Sequence, residues 1–525
     1  MKSLALVLSI IVFVSGLSGC TNSGGGGGGT ASDFAVSTSA ADFGVVGNAY
    51  TSTLAVTGGT APFTWTLFGG VLPVGLSLNP GTGVVSGIPT TVETPTAVFT
   101  VTDSTGKTAT GSVLFAIHTR TDRVSVNDNG TAGSGASSTP SMNGDGSLVA
   151  FASSSTNFVT DVNGTQIYLH NRQTNLIEVV SRDSNSSAIN EGGGTSSDPS
   201  ISSDGRLVAF VSLSSNLVAS VSGQQIYVRD RQTGHTTVVS KSSAGTIGDG
   251  ISNAPAISAD GRYVAFASAS TNLVAGVSGT QIYVHDRQTE QTTLISKDNT
   301  VTPVPGNGVS ATPAISATGQ FVAFASLSTN LGAAGGNQQI YLHDRLTGAN
   351  GTTSLVSKDS VPTAGNGNSS TPSVSGDGRF VAFVSGATNI VTGFSGQQVY
   401  IHDRNTGANG TNSLISRDNS GTPNAGNQNS SAPSISSDGR YVAFTSLATN
   451  LETGVSGQQI YRHDRNGPTT SLVSRDNTGS LVEGNASSEA PSISGNGAFI
   501  AFTSQASNLL AGGVAPSDIY IRALP

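Results

Sequence analysis

The amino-acid sequence predicts an all-β protein built largely from one repeated unit. The motif Val-Ala-Phe, which reads Ile-Ala-Phe in the last copy, occurs seven times, and its phenylalanines are Phe151, Phe210, Phe266, Phe324, Phe383, Phe444 and Phe502. Short apolar segments alternate with Asp-Gly and Thr-Gly turns, and no long amphipathic helix is visible. Only 10% of the 525 residues are charged, whereas glycine occurs 67 times. Since a unit this short cannot bury its own core, the copies must stack on one another.

The first twenty residues predict an export signal. Lys2 precedes an apolar core at residues 4–14, which is broken only by Ser9. A bilayer-spanning helix needs about 20 apolar residues, so this core is too short to cross a membrane and a cleaved signal is the better interpretation.

The signal, residues 1–20, ends in Leu17-Ser18-Gly19-Cys20, and Cys20 is the only cysteine in the chain. This ending resembles the lipobox of bacterial lipoproteins, which implies that Cys20 is lipidated and anchors the exported protein to a membrane. The residue after the cysteine is Thr21 rather than an aspartate, and by resemblance to the sorting rules of enteric bacteria this favours anchoring in the outer membrane. The sequence does not indicate on which side of that membrane the protein lies. The alternative is an ordinary secretory signal. Six consecutive glycines then make residues 21–33 a flexible tether.

Residues 34–118 form the first predicted domain, in which strand-like segments alternate with Gly-Gly, Asn-Pro-Gly and Asp-Ser-Thr-Gly turns. Three runs stand out: Gly-Gly-Thr-Ala-Pro-Phe-Thr-Trp at 58–65, Leu-Pro-Val-Gly-Leu-Ser-Leu at 72–78 and Gly-Val-Val-Ser-Gly-Ile-Pro at 83–89. These runs resemble the immunoglobulin-like (cadherin-like) domain of bacterial surface proteins. The resemblance implies a β-sandwich whose core holds Trp65, with ligand stacking as the alternative role of this side chain.

Residues 121–525 carry the repeats. One full copy shows four predicted strands, at residues 255–258, 263–268, 281–285 and 292–296. In the second strand of each copy both faces are apolar, so neighbouring units must cover both faces. Four short antiparallel strands of this kind predict a β-propeller blade. The repeated Asp-Gly-Arg-x-Val-Ala-Phe and Gln-Ile-Tyr-x-His-Asp-Arg resemble the WD40-like propeller repeats of TolB-type periplasmic proteins, a resemblance that implies the fold and no particular activity.

The strand count predicts how the ring closes. The last copy ends at residues 518–525 without a fourth strand, whereas residues 121–128 align with residues 292–299, which begin with a fourth strand. The sequence therefore predicts a seven-bladed propeller in which the N-terminal strand completes the last blade.

Polar residues that recur in several copies are expected to be structural, because a catalytic group is usually needed once. They are the histidines His170, His285, His343, His402 and His463, the aspartates Asp286, Asp344, Asp403 and Asp464 with the arginine after each, and the asparagines Asn157, Asn216, Asn272, Asn330, Asn389, Asn450 and Asn508. The aspartates and arginines are expected to stabilise turns and form ion pairs. The asparagines are expected to bond loop backbone, with a ring that binds a polar ligand as the alternative.

Antiparallel strand order places the repetitive turns on one propeller face and the varied loops on the other, where function is more often found. The blade-specific acids of the varied loops, Glu191, Asp249, Glu483 and Glu489, are the candidate ligand residues. They form either an acid/base or cation site or a solvated surface.

Cofactors and nucleic acid are not expected partners. The net charge of −8, without a basic stripe, argues against nucleic acid. Some cadherin-like relatives bind calcium at domain junctions, but only Asp103, Asp122 and Asp128 lie near this one, and calcium takes six to eight oxygens. Calcium is therefore the alternative to having no cofactor.

The sequence thus predicts a lipid-anchored envelope protein whose propeller is a non-catalytic binding scaffold for a protein or glycan that it does not identify. The alternatives are a carbohydrate-active hydrolase or lyase that uses the varied-loop carboxylates, and a calcium-dependent adhesion protein.

Overall fold

The computed structural model describes residues 33–184, 193–332, 336–361, 363–407, 409–420, 422, 424–477, 482–510 and 516–524. Regular structure in these residues consists of β-strands, and no helix occurs among them. None of the described segments could therefore cross a membrane as a helix. The predicted signal, Cys20 and most of the tether lie outside the described residues.

The N-terminal unit contains nine strands in three small sheets. They are β1 Ala35–Val36, β2 Ala40–Val45, β3 Tyr50–Thr53, β4 Val56–Thr57, β5 Thr64–Gly70, β6 Leu76–Leu78, β7 Val84–Gly87, β8 Thr96–Thr102 and β9 Thr108–His118. The sheets have the orders β2-β9-β8-β5, β3-β7-β6 and β1-β4. Trp65 packs among Val85, Phe99 and Phe115, as the sequence predicts, and is 3% exposed. Gly83 has φ +69° and lies so close that a Cβ would be 2.6 Å from the indole nitrogen.

The repeat region contains the other strands, which follow one pattern. They are β10 Thr121–Arg123, β11 Ser137–Met142, β12 Leu148–Ser153, β13 Gln166–Asn171, β14 Leu176–Val179, β15 Ser196–Ile201, β16 Leu207–Ser212, β17 Gln225–Asp230, β18 His235–Val238, β19 Ser252–Ile257, β20 Tyr263–Ser268, β21 Gln281–Asp286, β22 Gln291–Leu294, β23 Ser310–Ile315, β24 Phe321–Ser326, β25 Gln339–Asp344, β26 Thr352–Leu355, β27 Ser369–Val374, β28 Phe380–Ser385, β29 Gln398–Asp403, β30 Thr411–Leu414, β31 Ser430–Ile435, β32 Tyr441–Ser446, β33 Gln459–Asp464, β34 Thr469–Leu472, β35 Ser488–Ile493, β36 Phe499–Ser504 and β37 Asp518–Ala523.

These strands form four-stranded antiparallel sheets, which we number 1 to 7 in chain order. Sheets 1 to 6 take four consecutive strands each, from β11–β14 to β31–β34, whereas sheet 7 has the order β10-β37-β36-β35. In every sheet the repeated phenylalanine of the second strand stacks on a tyrosine of the third, with ring centroids 5.8 to 6.2 Å apart. All residues of the second strands are buried except the half-buried Tyr263 and Tyr441, so both faces of these strands are covered, as the sequence predicts.

Each sheet packs on the next through one small and one large face. Ala323 and Ala325 of sheet 4 lie in one core cluster with Phe383 of sheet 5. The same contact joins the two ends of the repeat region, because Ala501 of sheet 7 lies in a cluster with Phe151 of sheet 1.

A chain of backbone hydrogen bonds links the turns between first and second strands. The N–H of Gly144 donates to Ser203 O at 2.9 Å, the pattern continues from sheet to sheet, and the N–H of Asn496 donates back to Gly144 O at 3.3 Å. Apart from Asn496, the residues linked are small: Gly144, Ser203, Ala259, Ala317, Gly376, Ser437 and Gly495. A Cβ on Gly376 would lie 2.2 Å from Ser437 Oγ, so close approach of the turns explains the small residue in Ser-x-Asp-Gly.

Strand β10 lies at the outer edge of sheet 7. Thr121 is opposite Arg522 of β37, as Thr292 is opposite His285 in sheet 3. The side chain of Asn477 accepts from Thr121 N at 2.7 Å and donates to Thr121 O at 2.8 Å. Asparagines 299 and 419 hold fourth strands of sheets 4 and 6 in the same way. Strand β10 therefore makes the contacts of a fourth strand.

The N-terminal unit contacts the repeat region beside sheets 1 and 7. Gln173 Nε2 donates to Ala41 O at 3.1 Å, and Arg120 Nη2 donates to Asn48 Oδ1 at 2.9 Å. Val45 joins the core cluster of sheets 1 and 7.

Candidate functional site

The sheets present two different surfaces. We call the side with the first-to-second and third-to-fourth strand turns the turn face. The opposite side, with the second-to-third strand loops and the sheet-to-sheet linkers, is the loop face.

Ion pairs on the turn face join turns of the same sheet. Arg262 donates to Asp286 through Nε at 2.9 Å and through Nη2 at 2.7 Å. Equivalent pairs hold Asp230, Asp403 and Asp464. Hydrogen bonds from Arg379 and Arg440 lower the pKa of Asp403 and Asp464 to about 2. Asp344 accepts instead from Gln320 Nε2 at 3.0 Å.

The arginines that follow Asp286 and Asp344 make contacts other than the ion pairing expected from sequence, whereas Arg231 after Asp230 does form an ion pair, with Glu178 of sheet 1. Arg287 Nη1 donates to Gly261 O at 2.8 Å. Arg345 lies 4.3 Å from the ring centroid of Tyr263 in the preceding sheet, and Arg172 of sheet 1 lies 4.6 Å from that of Phe499 in sheet 7. Arg345 and Arg172 therefore connect neighbouring sheets through cation–π contacts.

The repeated histidines are buried between sheets. His343 Nδ1 lies 2.9 Å from Thr353 Oγ1, which donates to Lys297 O of the preceding linker at 2.7 Å. His285 and His463 make the same contact with a threonine, and Arg229 replaces the histidine in sheet 2 by donating to Thr236 Oγ1. These contacts agree with the structural role that repetition predicts. Burial lowers the pKa of all five histidines to about 4.

We expect the melting temperature to fall as the pH drops from 6.5 to 4. The unfolded histidines bind protons below about pH 6.5, whereas the folded ones stay neutral to about pH 4. The unfolded state therefore holds more protons in this window, and stability that is fully present above pH 6.5 is lost as the pH falls. Thermal melts from pH 8 to 4 measure the slope. H343Q should reduce it, whereas H235Q at an exposed position should not; equal slopes would contradict the assignment.

The repeated asparagines secure the linkers on the loop face. Asn272 Nδ2 donates to Ile247 O at 2.8 Å, and its Oδ1 accepts from Asp249 N at 3.1 Å. The other copies bracket their linkers similarly, as Asn330 does with Pro305 O and Asn307 N. The predicted bonding to loop backbone is confirmed by these contacts.

The structure describes three of the four candidate acids and does not bring them together. Asp249 precedes sheet 3, and its carboxylate accepts from Thr271 N and Thr271 Oγ1, both at 2.7 Å, which lowers its pKa. Glu483 lies in the linker before sheet 7, where its backbone carbonyl accepts from Asn508, and Glu489 is exposed on β35. No hydrogen bond or ion pair joins any two of these three described acids. Glu191 lies outside the described residues.

Sequence reasoning treats Asp249 as blade-specific, but its position is repeated. Asn307 occupies it before sheet 4 and holds Thr329 N at 2.8 Å, as Asp249 holds Thr271 N. The signal that could have shown this is the constant spacing to the repeated asparagine, since Asp249 and Asn307 each lie 23 residues before it.

The acids near the domain boundary are engaged separately. Asp103 accepts from Thr60 N, Thr105 N and Lys107 N. Asp122 lies 2.9 Å from His118 Nδ1, and Asp128 accepts from Ile177 N. Within the described ranges no group of three or more His, Cys, Asp or Glu residues is placed to hold a metal ion.

The N-terminal unit matches a known family. The family model described as "Putative Ig domain" covers residues 32–119. No curated relative matches the sequence.

Solved structures of low sequence identity resemble the chain. The β-propeller domain of the Trilobed protease from Pyrococcus furiosus is 14% identical, with a TM-score of 0.42 over 71% of this chain and 90% of that one. A "putative TolB" from Agrobacterium tumefaciens is 16% identical, with a TM-score of 0.36 over 69% and 98%. The WD40 repeats of RRP9 are 10% identical, with a TM-score of 0.40 over 77% and 98%. The chain is thus an all-β protein with a match to an immunoglobulin-like family at its N-terminal unit and with β-propellers among its structural neighbours.

Proposed function

We propose that the chain is a lipid-anchored protein of the bacterial cell envelope in which a seven-bladed β-propeller acts as a non-catalytic binding scaffold. Strand β10 completes the seventh blade, and the immunoglobulin-like unit is the spacer. In this proposal Cys20 carries the anchor in the outer membrane and residues 21–33 are the tether. The contact of sheet 7 with sheet 1 and the hydrogen bond from Asn496 to Gly144 support the closed ring.

The loop face is the observation that best supports this proposal, because its linkers are held firmly at their bases and vary in sequence beyond them. The asparagine of each sheet holds the base of a linker, as Asn272 holds Ile247 and Asp249. Between these bases the linkers from one sheet to the next are 13 to 16 residues long and differ in sequence. They also expose apolar side chains, such as Val301 and Val304 at 95% and 51%. Variable loops on a rigid ring are a common arrangement for binding a partner.

The test uses the C20A variant as bait for an envelope extract. We expect wild-type protein to partition with membranes and C20A to be soluble, because only the former can be acylated. A protein or glycan retained by C20A should be lost when D249N, E483Q and E489Q are added to the loop face. R206Q on the turn face is the matched control, since Arg206 is exposed and its loss should leave retention unchanged.

Three outcomes would contradict the scaffold. Equal retention by the loop-face and turn-face variants would remove the loop face as the binding surface. Cleavage of envelope glycans by the bait would favour the hydrolase or lyase. Retention that requires calcium would favour calcium-dependent adhesion.

A further inference from the structure

A cleft of about 390 Å³ lies where the N-terminal unit meets sheets 6 and 7. It is lined by Val46, Gly47, Thr119, Arg120, Arg475, Asp476, Asn477 and Arg522. Three arginines and one aspartate thus line the cleft, in a chain whose net charge is −8. The cleft therefore has a local excess of positive charge, whereas the net charge of the whole chain is negative.

The three arginines come from separate parts of the fold. Arg120 lies in the connection between β9 and β10 and is exposed, Arg475 follows β34 of sheet 6, and Arg522 belongs to β37 of sheet 7. Arg522 is 4% exposed and donates through Nη1 to Arg475 O at 2.8 Å and Asp476 O at 3.1 Å. Arg475 Nε is buried without a hydrogen-bond partner, as are the Nε atoms of Arg182 and Arg417 at the same repeat position, so this atom does not set the cleft apart. What sets the cleft apart is the presence of Arg120 and Arg522 beside Arg475.

The corresponding arginine pair between sheets 1 and 2 has more acids near it, although two of them, Glu178 and Asp230, are ion-paired with Arg231 and Arg206. Arg182 there occupies the position of Arg475, and Arg229 that of Arg522. Three carboxylates, Glu178, Asp183 and Asp230, act on Arg229. Arg522 instead has Asp476 as its acid, with Arg475 and Arg120 as opposing charges. Burial and then these two arginines lower the pKa of Arg522 to about 9.

Another junction is compensated by a direct ion pair. Lys241, at the position of Arg475 in the linker before sheet 3, lies 2.5 Å from Glu290 Oε2. At the N-terminal unit the same basic position, Arg475, lines a cleft to which Arg120 and Arg522 add two further arginines. An anion bound from solution would supply the missing negative charge.

We propose that this cleft binds an oxyanion of the phosphate or sulfate type, either free or carried on a ligand of monosaccharide size. Guanidinium groups bind such oxyanions through paired, charge-assisted hydrogen bonds. The cleft volume lies at the lower end of the range for small-molecule sites, about 300 to 1,000 Å³. The bound anion would hold the N-terminal unit to sheet 7, because Arg120 immediately precedes β10. This inference does not depend on the loop face being a binding surface.

Isothermal titration of the purified protein with inorganic phosphate and with glucose 6-phosphate, at constant ionic strength, tests the site. We expect heat of binding and a melting temperature that rises with ligand concentration, because binding to the folded state alone stabilises it. R120Q and R475Q should each raise the dissociation constant at least tenfold, since each removes a charged hydrogen-bond donor. Arg120 is exposed, so R120Q should keep the fold.

R417Q is the matched control, because Arg417 occupies the same repeat position one junction earlier, where His463 replaces Arg522. It should leave binding unchanged. Tight binding of inorganic phosphate would assign the free anion, whereas binding of glucose 6-phosphate alone would assign a sugar-borne anion. The absence of heat and of a melting shift with both probes would overturn the proposal, as would equal weakening by R417Q and R475Q.

Discussion

Replacing residues 121–128 by an eight-residue Gly-Ser linker is expected to lower the melting temperature by about 5 °C or more. Val124 and Val126 are 1% and 6% exposed, and burying two such side chains contributes about 3 to 6 kcal/mol. The replacement also removes the hydrogen bonds between Thr121 and Asn477. The unpaired edge of β37 would then be open to other chains. Differential scanning calorimetry measures the shift, and sedimentation measures any self-association.

The control for this replacement is a Gly-Ser substitution of residues 346–351, the turn between β25 and β26. Leu346 in that turn is 73% exposed, so its loss should change the melting temperature by no more than a few degrees. If the two replacements melted alike, β10 would not be a stabilising part of sheet 7.

The second large effect is expected at a charged pair that occurs in sheet 7. R123L and D518Q should each lower the free energy of unfolding by about 3 kcal/mol, because each leaves a buried charge without its partner. Arg123 Nε lies 3.3 Å from Asp518 Oδ2, within ion-pair range although the two groups are not aligned as a hydrogen bond. Their side chains are 12% and 3% exposed, and burial raises the pKa of Asp518.

The double variant R123L/D518Q should be within about 1 kcal/mol of wild type, because it recreates the arrangement of the other sheets. In sheet 3 these positions hold Leu294 and Gln281, and Ser296 Oγ donates to Gln281 Oε1 at 2.6 Å. In sheet 7 Ser125 Oγ donates to Asp518 Oδ1 at 2.8 Å instead. The free energies of unfolding of wild type, R123L, D518Q and R123L/D518Q, measured with denaturant, complete the double-mutant cycle. Additive losses in the double variant would show that the two charges do not interact.

We infer that this pair helps β10 select sheet 7. The third strands of the other six sheets begin with an uncharged glutamine: Gln166, Gln225, Gln281, Gln339, Gln398 and Gln459. Arg123 would be buried without a counter-charge beside any of them, which is costly. A swap of β10 onto another sheet is therefore disfavoured.

The second strand is predicted from sequence with its correct bounds, whereas the first is not. In sheet 3 the prediction of residues 263–268 matches β20, but the first strand begins at Ser252 rather than at residue 255. A β-bulge lies before Pro255, where Ala254 has φ +50°. Proline at a bulge looks like a strand start in sequence, because its missing N–H excludes it from regular pairing.

Among the polar residues, too, the sequence indicates some roles and not others. Repetition alone indicates that the histidines and asparagines are structural, and the contacts of His343 and Asn272 agree. The partner of Asp286 is not predictable from its neighbour in sequence, because antiparallel register brings Arg262 beside it from 24 residues away. The arginine cleft is still less visible, since Arg120 and Arg522 meet only after the whole repeat region has folded.

The sequence by itself determined the strand periodicity, the repeated unit and the turn residues, because these are local patterns of polarity and side-chain size. The tertiary structure decided which distant groups meet: the placement of β10 beside β37, the pair of Arg123 with Asp518, and the three arginines beside the N-terminal unit. These contacts join residues about 350 or more positions apart in the chain, apart from those within the cleft between Arg475 and Arg522. Their geometry depends on how the sheets pack on one another, which no local pattern encodes.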